Sequence, residues 1–246
     1  MTSASTTSAA SSTALAPGRP PWNHIDTVLL DMDGTLLDLH FDNCFWLELV
    51  PRRYAQQHGI TFEAARASLA PRFAAKQGTL DWYCTDYWSR ELTLDIASLK
   101  RDMRERVCFL PGAQAFLQTL VDRGRRTVLV TNAHPASLAI KAAQISLQRY
   151  FETMVSSHQF GAPKEHDEFW IHLHAQLRYD PARTLFVDDS PAVLRAARRH
   201  GIAHIYTVLR PDTTQGLRPL AEFPAVEAVI ELVSGESTAT AREKRA

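Results

Sequence analysis

Three short segments of the chain are apolar or β-branched throughout, and each ends abruptly in polar residues. They are residues 27–30, 127–130 and 184–187. A run without apolar–polar alternation is typical of a strand that is buried on both faces, as in a parallel sheet. Residues 203–208 form a further run of this kind. The pattern therefore predicts several short parallel strands.

Amphipathic segments typical of helices lie between these runs, at residues 112–122, 135–146, 166–177 and 192–200. The last segment has clear boundaries, because Ser190 can cap its first turn, Pro191 suits that turn and Gly201 suits its end. Strands that alternate with helices predict an α/β fold with a Rossmann-like, doubly wound parallel sheet.

Residues 41–107 break this alternation, since they contain no convincing buried strand and are rich in helix formers and aromatic residues. We expect a helical cap here, inserted after the first strand. The core domain would then comprise residues 23–40 and 108–233. Residues 1–22, rich in Ser, Thr and Ala, bury too little apolar surface to fold, so we predict disordered tails at residues 1–22 and 234–246.

Composition narrows the possible partners and location. The chain has 246 residues with 27 basic and 27 acidic side chains, a balance that argues against nucleic acid or an anionic membrane as partner. It has neither the ~20-residue apolar run that spans a bilayer nor a secretory signal, so we expect a cytoplasmic protein. We expect it to be a monomer or a homodimer. The three cysteines lack CxxC spacing, which favours reduced, mostly buried thiols over a zinc or redox centre.

Polar side chains follow the predicted strands at the edge where an open α/β sheet binds ligands. They are Asp31, Asp33, Thr131, Asn132, Asp188 and Asp189, and Lys164 lies in a connection that can reach the same edge. Four carboxylates in one place require compensating positive charge. Lys164 supplies part of it, and oxygen ligands without clustered His or Cys favour Mg²⁺ over zinc.

These residue types suit phosphoryl transfer to a carboxylate. Asp31 would attack phosphorus and form an aspartyl phosphate. Asp33 would protonate the leaving oxygen and then deprotonate the attacking water. Gly34 would let backbone N–H groups face the phosphate.

The other residues would bind the phosphate and the metal. Thr131, Asn132 and Lys164 would hold the phosphoryl oxygens and neutralise their charge. Asp188 would bind the metal directly, and Asp189 would bind it through water or orient the other ligands. Each motif alone could be a turn or a helix cap, but three such strand ends together are better explained by one site.

The segments Asp31-Met32-Asp33-Gly34-Thr35-Leu36, Thr131-Asn132, Lys164 and Asp188-Asp189 resemble, in this order, the four motifs of the haloacid dehalogenase superfamily. The resemblance spans residues 26–208. It implies a Rossmann-like core, a helical cap, a Mg²⁺ cofactor and an aspartyl-phosphate intermediate. It also implies that Asp31 and Asp188 bind Mg²⁺ through their side chains, and Asp33 through its backbone carbonyl.

The cap resembles that of the bacterial GMP/IMP 5′-nucleotidases of this superfamily. The matching segments are Phe41-Asp42-Asn43, Phe45-Trp46, Leu80-Asp81-Trp82-Tyr83-Cys84 and Asp86-Tyr87-Trp88. The resemblance implies a purine nucleoside monophosphate as substrate, with Phe41, Asn43 and Tyr83 as candidate contacts. Bases can stack on aromatic side chains, but aromatic residues at helical spacing suit the interior of the cap equally well.

Other functions fit parts of the pattern. A sugar-phosphate phosphatase or phosphomutase of the same superfamily would share the site, whereas a dehalogenase would not need the acid that Asp33 supplies. A phosphate-accepting receiver domain groups similar residues around Mg²⁺, but its acidic pair lies on the first strand and it lacks a large cap. A binding protein without catalysis is disfavoured, because every required side chain is present.

Overall fold

The computed structural model describes residues 19–219 and 222–234, so most of both predicted tails lies outside the described residues. Within them, parallel strands form one sheet: β1 (Thr27–Leu30), β2 (Arg126–Thr131), β3 (Thr153–Ser156), β4 (Thr184–Val187), β5 (His204–Val208) and β6 (Ala225–Val226). Their order across the sheet is β3-β2-β1-β4-β5-β6. The predicted α/β, Rossmann-like sheet is confirmed.

Between β1 and the next core helix, the chain forms short helices: α1 (His40–Cys44), α2 (Val50–His58), α3 (Phe62–Ala74), α4 (Leu80–Tyr83), α5 (Thr85–Leu92) and α6 (Ile96–Asp102). They pack around a small apolar core of their own, formed by Phe45, Val50, Leu69, Trp88, Leu92 and Ile96. Residues 41–107, all of which are described, contain no strand. We call this segment the cap.

One π-helical turn, Phe45–Leu49, joins α1 to α2. Phe45 is fully buried in the cap, whereas the next two residues, Trp46 and Leu47, line a cavity below it. Such turns are rare and are frequently found at functional sites. The turn therefore decides which side chains of this helix face the cavity.

Helices cover both faces of the sheet. On one face lie α7 (Ala113–Asp122) and α8 (Pro135–Ile145), and on the other lie α9 (Asp167–Leu177) and α10 (Pro191–Arg199). Successive residues of β1 point to opposite layers, since Val28 and Leu30 belong to one apolar cluster and Leu29 to the other. A strand covered in this way has no polar face, which explains the unbroken apolar run.

The strand order reverses beside β1, which pairs with β2 on one side and with β4 on the other. Leu30 lies in register with Val187 of β4, and the backbone N–H of Asp31 donates to Val187 O at 3.0 Å. Asp31 and Asp188 therefore follow neighbouring strands at the same level. Open α/β sheets bind their ligands at such a reversal.

Two features of the core differ from the sequence predictions. The hydrophobic pattern does not predict β3 or β6, which have four and two residues and lie towards the edges of the sheet. Ser190 does precede α10, but its side chain makes no capping hydrogen bond. Its backbone N–H donates instead to Asp188 Oδ1 at 2.8 Å, so the carboxylate organises this turn.

The beginning of the described chain belongs to the core. Trp22, in a 3₁₀ turn at Trp22–His24, is 3% exposed and donates its indole N–H to Leu232 O at 2.8 Å. Trp22 therefore belongs to the folded core. The predicted tail boundary after residue 22 would have placed it in a disordered tail. Across residues 19–219 and 222–234, no helix is both long and apolar enough to cross a bilayer.

Candidate active site

Lys164 lies between two carboxylates at the carboxyl end of the sheet. Its Nζ atom is 2.5 Å from Asp31 Oδ1 and 2.7 Å from Asp188 Oδ2, and it donates to Val130 O at 3.0 Å. Lys164, Asp31 and Asp188 are all buried. One ammonium group thus joins the ends of β1, β2 and β4, as the strand-end motifs predict.

The loop that carries Lys164 is held by buried polar contacts. Asn132 Oδ1 accepts from the Lys164 backbone N–H at 2.9 Å, and Asn132 Nδ2 donates to Glu165 Oε2 at 2.9 Å. Trp170 Nε1 donates to Lys164 O at 2.7 Å. Asn132, which we predicted to bind phosphate, lines the cavity but uses both ends of its amide to position this loop.

A group of three carboxylates surrounds the ammonium of Lys164. Oxygens of Asp31, Asp188 and Asp189 all lie within 4.8 Å of one another. Burial raises the pKa of Asp31 to about 7 and the pKa values of Asp188 and Asp189 to about 6, against the lowering effect of Lys164. Lys164 alone does not balance three carboxylates, and this set of hard oxygen donors fits a divalent cation such as Mg²⁺.

Asp189 is held by an arginine that the sequence motifs do not indicate. Arg218 Nη1 donates to Asp189 Oδ2 at 3.0 Å and to its backbone oxygen at 2.8 Å. Asp189 also packs against the first motif, because a Cβ at Gly34 would lie 2.8 Å from Asp189 Cγ. Gly34 has a φ of +84°, so both the turn and the close approach require glycine.

Thr131 lies at the end of β2 with its side chain buried and facing the cavity. Its Oγ1 atom accepts from the Ala133 N–H at 3.0 Å, which fixes the oxygen and leaves the hydroxyl hydrogen for another acceptor. This arrangement suits the predicted role as a hydrogen-bond donor to an anion.

Asp33 faces a buried lysine that the sequence analysis missed. Lys141 Nζ, on α8, is 2.6 Å from Asp33 Oδ1 and 2.5 Å from Asp42 Oδ2. Lys100 Nζ, on α6, is 2.7 Å from Asp42 Oδ1. The chain Asp33–Lys141–Asp42–Lys100 therefore runs from the first motif through a core helix into the cap.

Charge compensation along this chain is strong. Burial would raise the pKa of Asp42, but Lys100 and Lys141 together lower it. Burial would lower the pKa of Lys141, but Asp33 and Asp42 together raise it. Lys141 is 1% exposed, and lysine is almost never so buried without a partner. In the sequence, it is one polar residue in an amphipathic helix, and nothing marks it.

The cavity between cap and core has a volume of about 590 Å³, which lies within the usual range for small-molecule sites. Asn43 lines it and donates to Asp212 Oδ2 at 2.6 Å, and Tyr83 lines it and donates to Glu165 Oε1 at 2.7 Å. Phe41 does not line it. Its ring is buried in the core with the Nζ atoms of Lys141 and Lys100 5.0 Å and 5.3 Å from its centre, so this geometry does not support its predicted contact with substrate.

Aromatic side chains form the roof of the cavity. Trp46, Phe73, Trp82 and Trp88 line it and pack edge to face, with ring centres 5.0 Å apart for Phe73 and Trp88 and 5.7 Å apart for Trp46 and Phe73. The same rings also pack in or against the apolar core of the cap. The two interpretations of these aromatic residues are therefore compatible, since one face of the cluster is cap interior and the other is cavity wall.

Comparisons with known proteins agree with this arrangement. Residues 25–201 match a family model described as haloacid dehalogenase-like hydrolase. The chain is 42% identical over 212 residues to the GMP/IMP nucleotidase YrfG of Escherichia coli (strain K12). The alignment covers 86% of this chain and 96% of that protein.

Solved structures show the same fold at low sequence identity. A HAD phosphatase from Thermococcus onnurineus superposes with a TM-score of 0.72 at 20% identity, covering 85% of this chain and 96% of that one. An L-2-haloacid dehalogenase from Xanthobacter autotrophicus gives 0.58 at 18% identity, covering 87% and 100%. These two similarities concern the fold alone.

Replacing Lys141 with Met should lower the free energy of unfolding by about 3–5 kcal/mol, because the half-buried carboxylates of Asp33 and Asp42 would lose the buried counter-charge that they share. Urea unfolding followed by circular dichroism measures the change. Lys76→Met is the control, since Lys76 pairs with Asp81 on the surface, where ion pairs contribute little. Equal losses in the two variants would contradict a buried ionic network.

Proposed function

Because the chain belongs to the haloacid dehalogenase-like hydrolase family, we propose that it hydrolyses phosphate monoesters, with purine nucleoside 5′-monophosphates such as IMP and GMP as substrates. The family match confirms the superfamily resemblance seen in the sequence. The observation that carries the proposed chemistry is the Lys164 ammonium held between Asp31 and Asp188 at the strand ends.

In the first step, a carboxylate oxygen of Asp31 attacks the phosphorus atom. A bond forms between Asp31 and phosphorus as the bond to the ribose 5′-oxygen breaks, and that oxygen takes a proton from Asp33. The contact with Lys141 Nζ fixes the position of the Asp33 carboxylate. The products of this step are the nucleoside and an aspartyl phosphate.

In the second step, water attacks the aspartyl phosphate. Asp33 accepts the proton of the water, the bond between Asp31 and phosphorus breaks, and inorganic phosphate leaves. Lys164 and the hydroxyl group of Thr131 bind the phosphoryl oxygens in both steps, which stabilises the charge that spreads over them in the transition state.

The acidic group fits Mg²⁺, with the side chains of Asp31 and Asp188 and the backbone carbonyl of Asp33 as ligands and Asp189 orienting them. The side chain of Asp33 points to Lys141 instead, so the carbonyl is the group of this residue that we assign to the metal. Bound Mg²⁺ would supply positive charge that a dianionic phosphate needs beside carboxylates.

The proposed preference for purines rests on the cap. The alignment with the GMP/IMP nucleotidase includes more residues than the core contains, so the similarity extends into the cap. The aromatic roof offers flat apolar surface for a base, and stacking on such rings contributes about 1–3 kcal/mol per base. Asn43 and Tyr83 add polar atoms at the cavity wall for the base or the ribose.

Asp31→Asn should abolish phosphate release from IMP, a loss of at least about 10³-fold, because the nucleophile is gone. The variant should stay folded, since Lys164 keeps its contact with Asp188. A colorimetric phosphate assay and circular dichroism measure the two properties. Asp102→Asn, an exposed position on α6, is the matched control. Hydrolysis by Asp31→Asn at the rate of this control would rule out the mechanism.

Removal of divalent cations with EDTA should stop phosphate release, and addition of Mg²⁺ alone should restore it. The reason is that Lys164 and Arg218 together do not balance the carboxylates of Asp31, Asp188 and Asp189 and a dianionic phosphate. The same phosphate assay, before and after dialysis against EDTA, measures the effect. Full activity in the chelated protein would show that the carboxylate group works without a metal.

A panel of phosphate esters should give higher kcat/KM values for IMP and GMP than for pyrimidine nucleotides and sugar phosphates. The expected cause is stacking of the larger base beneath the aromatic roof. Phosphate release measured across the panel at fixed enzyme concentration provides the ranking. Sugar phosphates ahead of both purines would assign the cavity to another substrate class, and isomerised sugar phosphate without phosphate release would indicate a mutase.

A further inference from the structure

Three side chains of types that bind metals meet at the seam between cap and core, and none of them belongs to the acidic group. Cys84 lies between α4 and α5, His134 directly precedes α8, and His158 lies in the 3₁₀ turn after β3. One ligand atom of each lies within 4.8 Å of the ligand atoms of the other two. We propose that these three side chains bind a zinc ion that joins the cap to the core.

The spacing of the three residues suits a tetrahedral zinc ion. Bonds of about 2.3 Å to sulfur and 2.0–2.1 Å to nitrogen place the ligand atoms of such a site about 3.3–3.7 Å apart. Because the ligand atoms lie within 4.8 Å of one another, each pair needs to approach by about 1.5 Å at most. All three are half-buried, so the site is shielded but open to an entering ion.

His158 supplies an observation that is independent of the spacing. Its Nε2 atom is buried and has no hydrogen-bond partner among the described residues. Leaving such an atom unsatisfied is costly, and native proteins usually avoid it. A metal ion would satisfy this atom, because an unprotonated imidazole nitrogen is a common zinc ligand.

His134 can offer Nε2 to the ion in one of its two tautomers. In this structure Nδ1 accepts from the Ala136 N–H at 3.3 Å and lies 2.8 Å from Thr85 Oγ1, a buried hydroxyl. Zinc binding through Nε2 requires the ring hydrogen on Nδ1, which would then donate to Thr85 Oγ1 and lose the contact with Ala136. The unprotonated Nε2 lies 3.6 Å from Asp86 Oδ2, close to the separation of two ligands of one zinc ion. The Asp86 carboxylate lies outside the group formed by the other three ligand atoms, so its exposed side chain must rotate to become the fourth ligand; otherwise water takes that position.

Cys84 caps the N-terminus of α5. Its Sγ atom accepts from the Tyr87 N–H at 3.3 Å. A thiolate with two imidazoles selects zinc over Mg²⁺, which prefers oxygen ligands. The ion is therefore chemically distinct from the one assigned to Asp31 and Asp188.

A zinc ion here would fix the cap above the cavity. Cys84 and Asp86 belong to the cap, while His134 and His158 follow β2 and β3 of the core. The neighbouring Tyr83 already contacts Glu165 of the core through one hydrogen bond. Zinc would add covalent-strength bonds to the same seam, so it should raise the melting temperature of the protein.

The experiment uses the full chain with saturating Mg²⁺ and titrates it with Co²⁺, a spectroscopic substitute for zinc. We expect one Co²⁺ per chain, an absorption band from thiolate-to-cobalt charge transfer and the intense visible bands of tetrahedral Co²⁺. Zinc should displace the Co²⁺ and raise the melting temperature. Co²⁺ at the carboxylate site gives no thiolate band, so the two sites are distinguished.

Two variants and one control test the ligands. Cys84→Ser and His158→Gln should each lose the charge-transfer band, or weaken cobalt binding at least tenfold, while circular dichroism shows a folded protein. Cys108→Ser removes the exposed cysteine of the core and should keep the band. No thiolate band in the wild-type protein would overturn the proposal without reference to any variant. So would an unchanged band in Cys84→Ser or in His158→Gln.

Discussion

The structure depends on compensation of buried charge at the carboxyl end of the sheet. Lys164 lies between Asp31 and Asp188, two buried carboxylates that would otherwise repel each other, and donates a third hydrogen bond to the carbonyl oxygen of Val130. Removing such a partner from a buried network costs several kcal/mol. The same constraint recurs at Lys141, which is placed between a core and a cap carboxylate. The cap is thus attached to the reaction centre by charge as well as by chain connections.

Much of the fold could be predicted from the sequence, because strands buried on both faces leave unbroken apolar runs. Those of β1, β2, β4 and β5 are matched within a few residues. The missing strands are short, and two of the four residues of β3 are only half-buried, so no periodicity separates them from loops. Ser190 shows a second limit, since a residue type favoured at helix starts leaves its hydroxyl unused when a buried carboxylate takes the backbone N–H.

The candidate site was predictable only where the sheet itself brings residues together. Asp31, Thr131 and Asp188 follow parallel strands, so topology alone makes them neighbours. Lys141 escaped notice because a lone lysine on a helix is normally solvated. The Cys84, His134 and His158 group is equally invisible, as three loops far apart in sequence contribute one residue each. The expectation of mostly buried thiols is also wrong, since Cys44 is buried, Cys84 is half-buried and Cys108 is exposed.

The π-helical turn at Phe45–Leu49 has a consequence for how the cavity can change. It places Phe45 in the cap interior and turns Trp46 and Leu47 towards the cavity. One residue of an α-helix corresponds to a rotation of about 100°, and a π-helical turn takes up about one additional residue. Winding the same residues as a regular α-helix would therefore rotate one half of the helix against the other by roughly that amount. The aromatic roof of the cavity would then have a different shape, although no residue type would change. In this fold, the length of one helical turn is itself a determinant of the shape that the substrate meets.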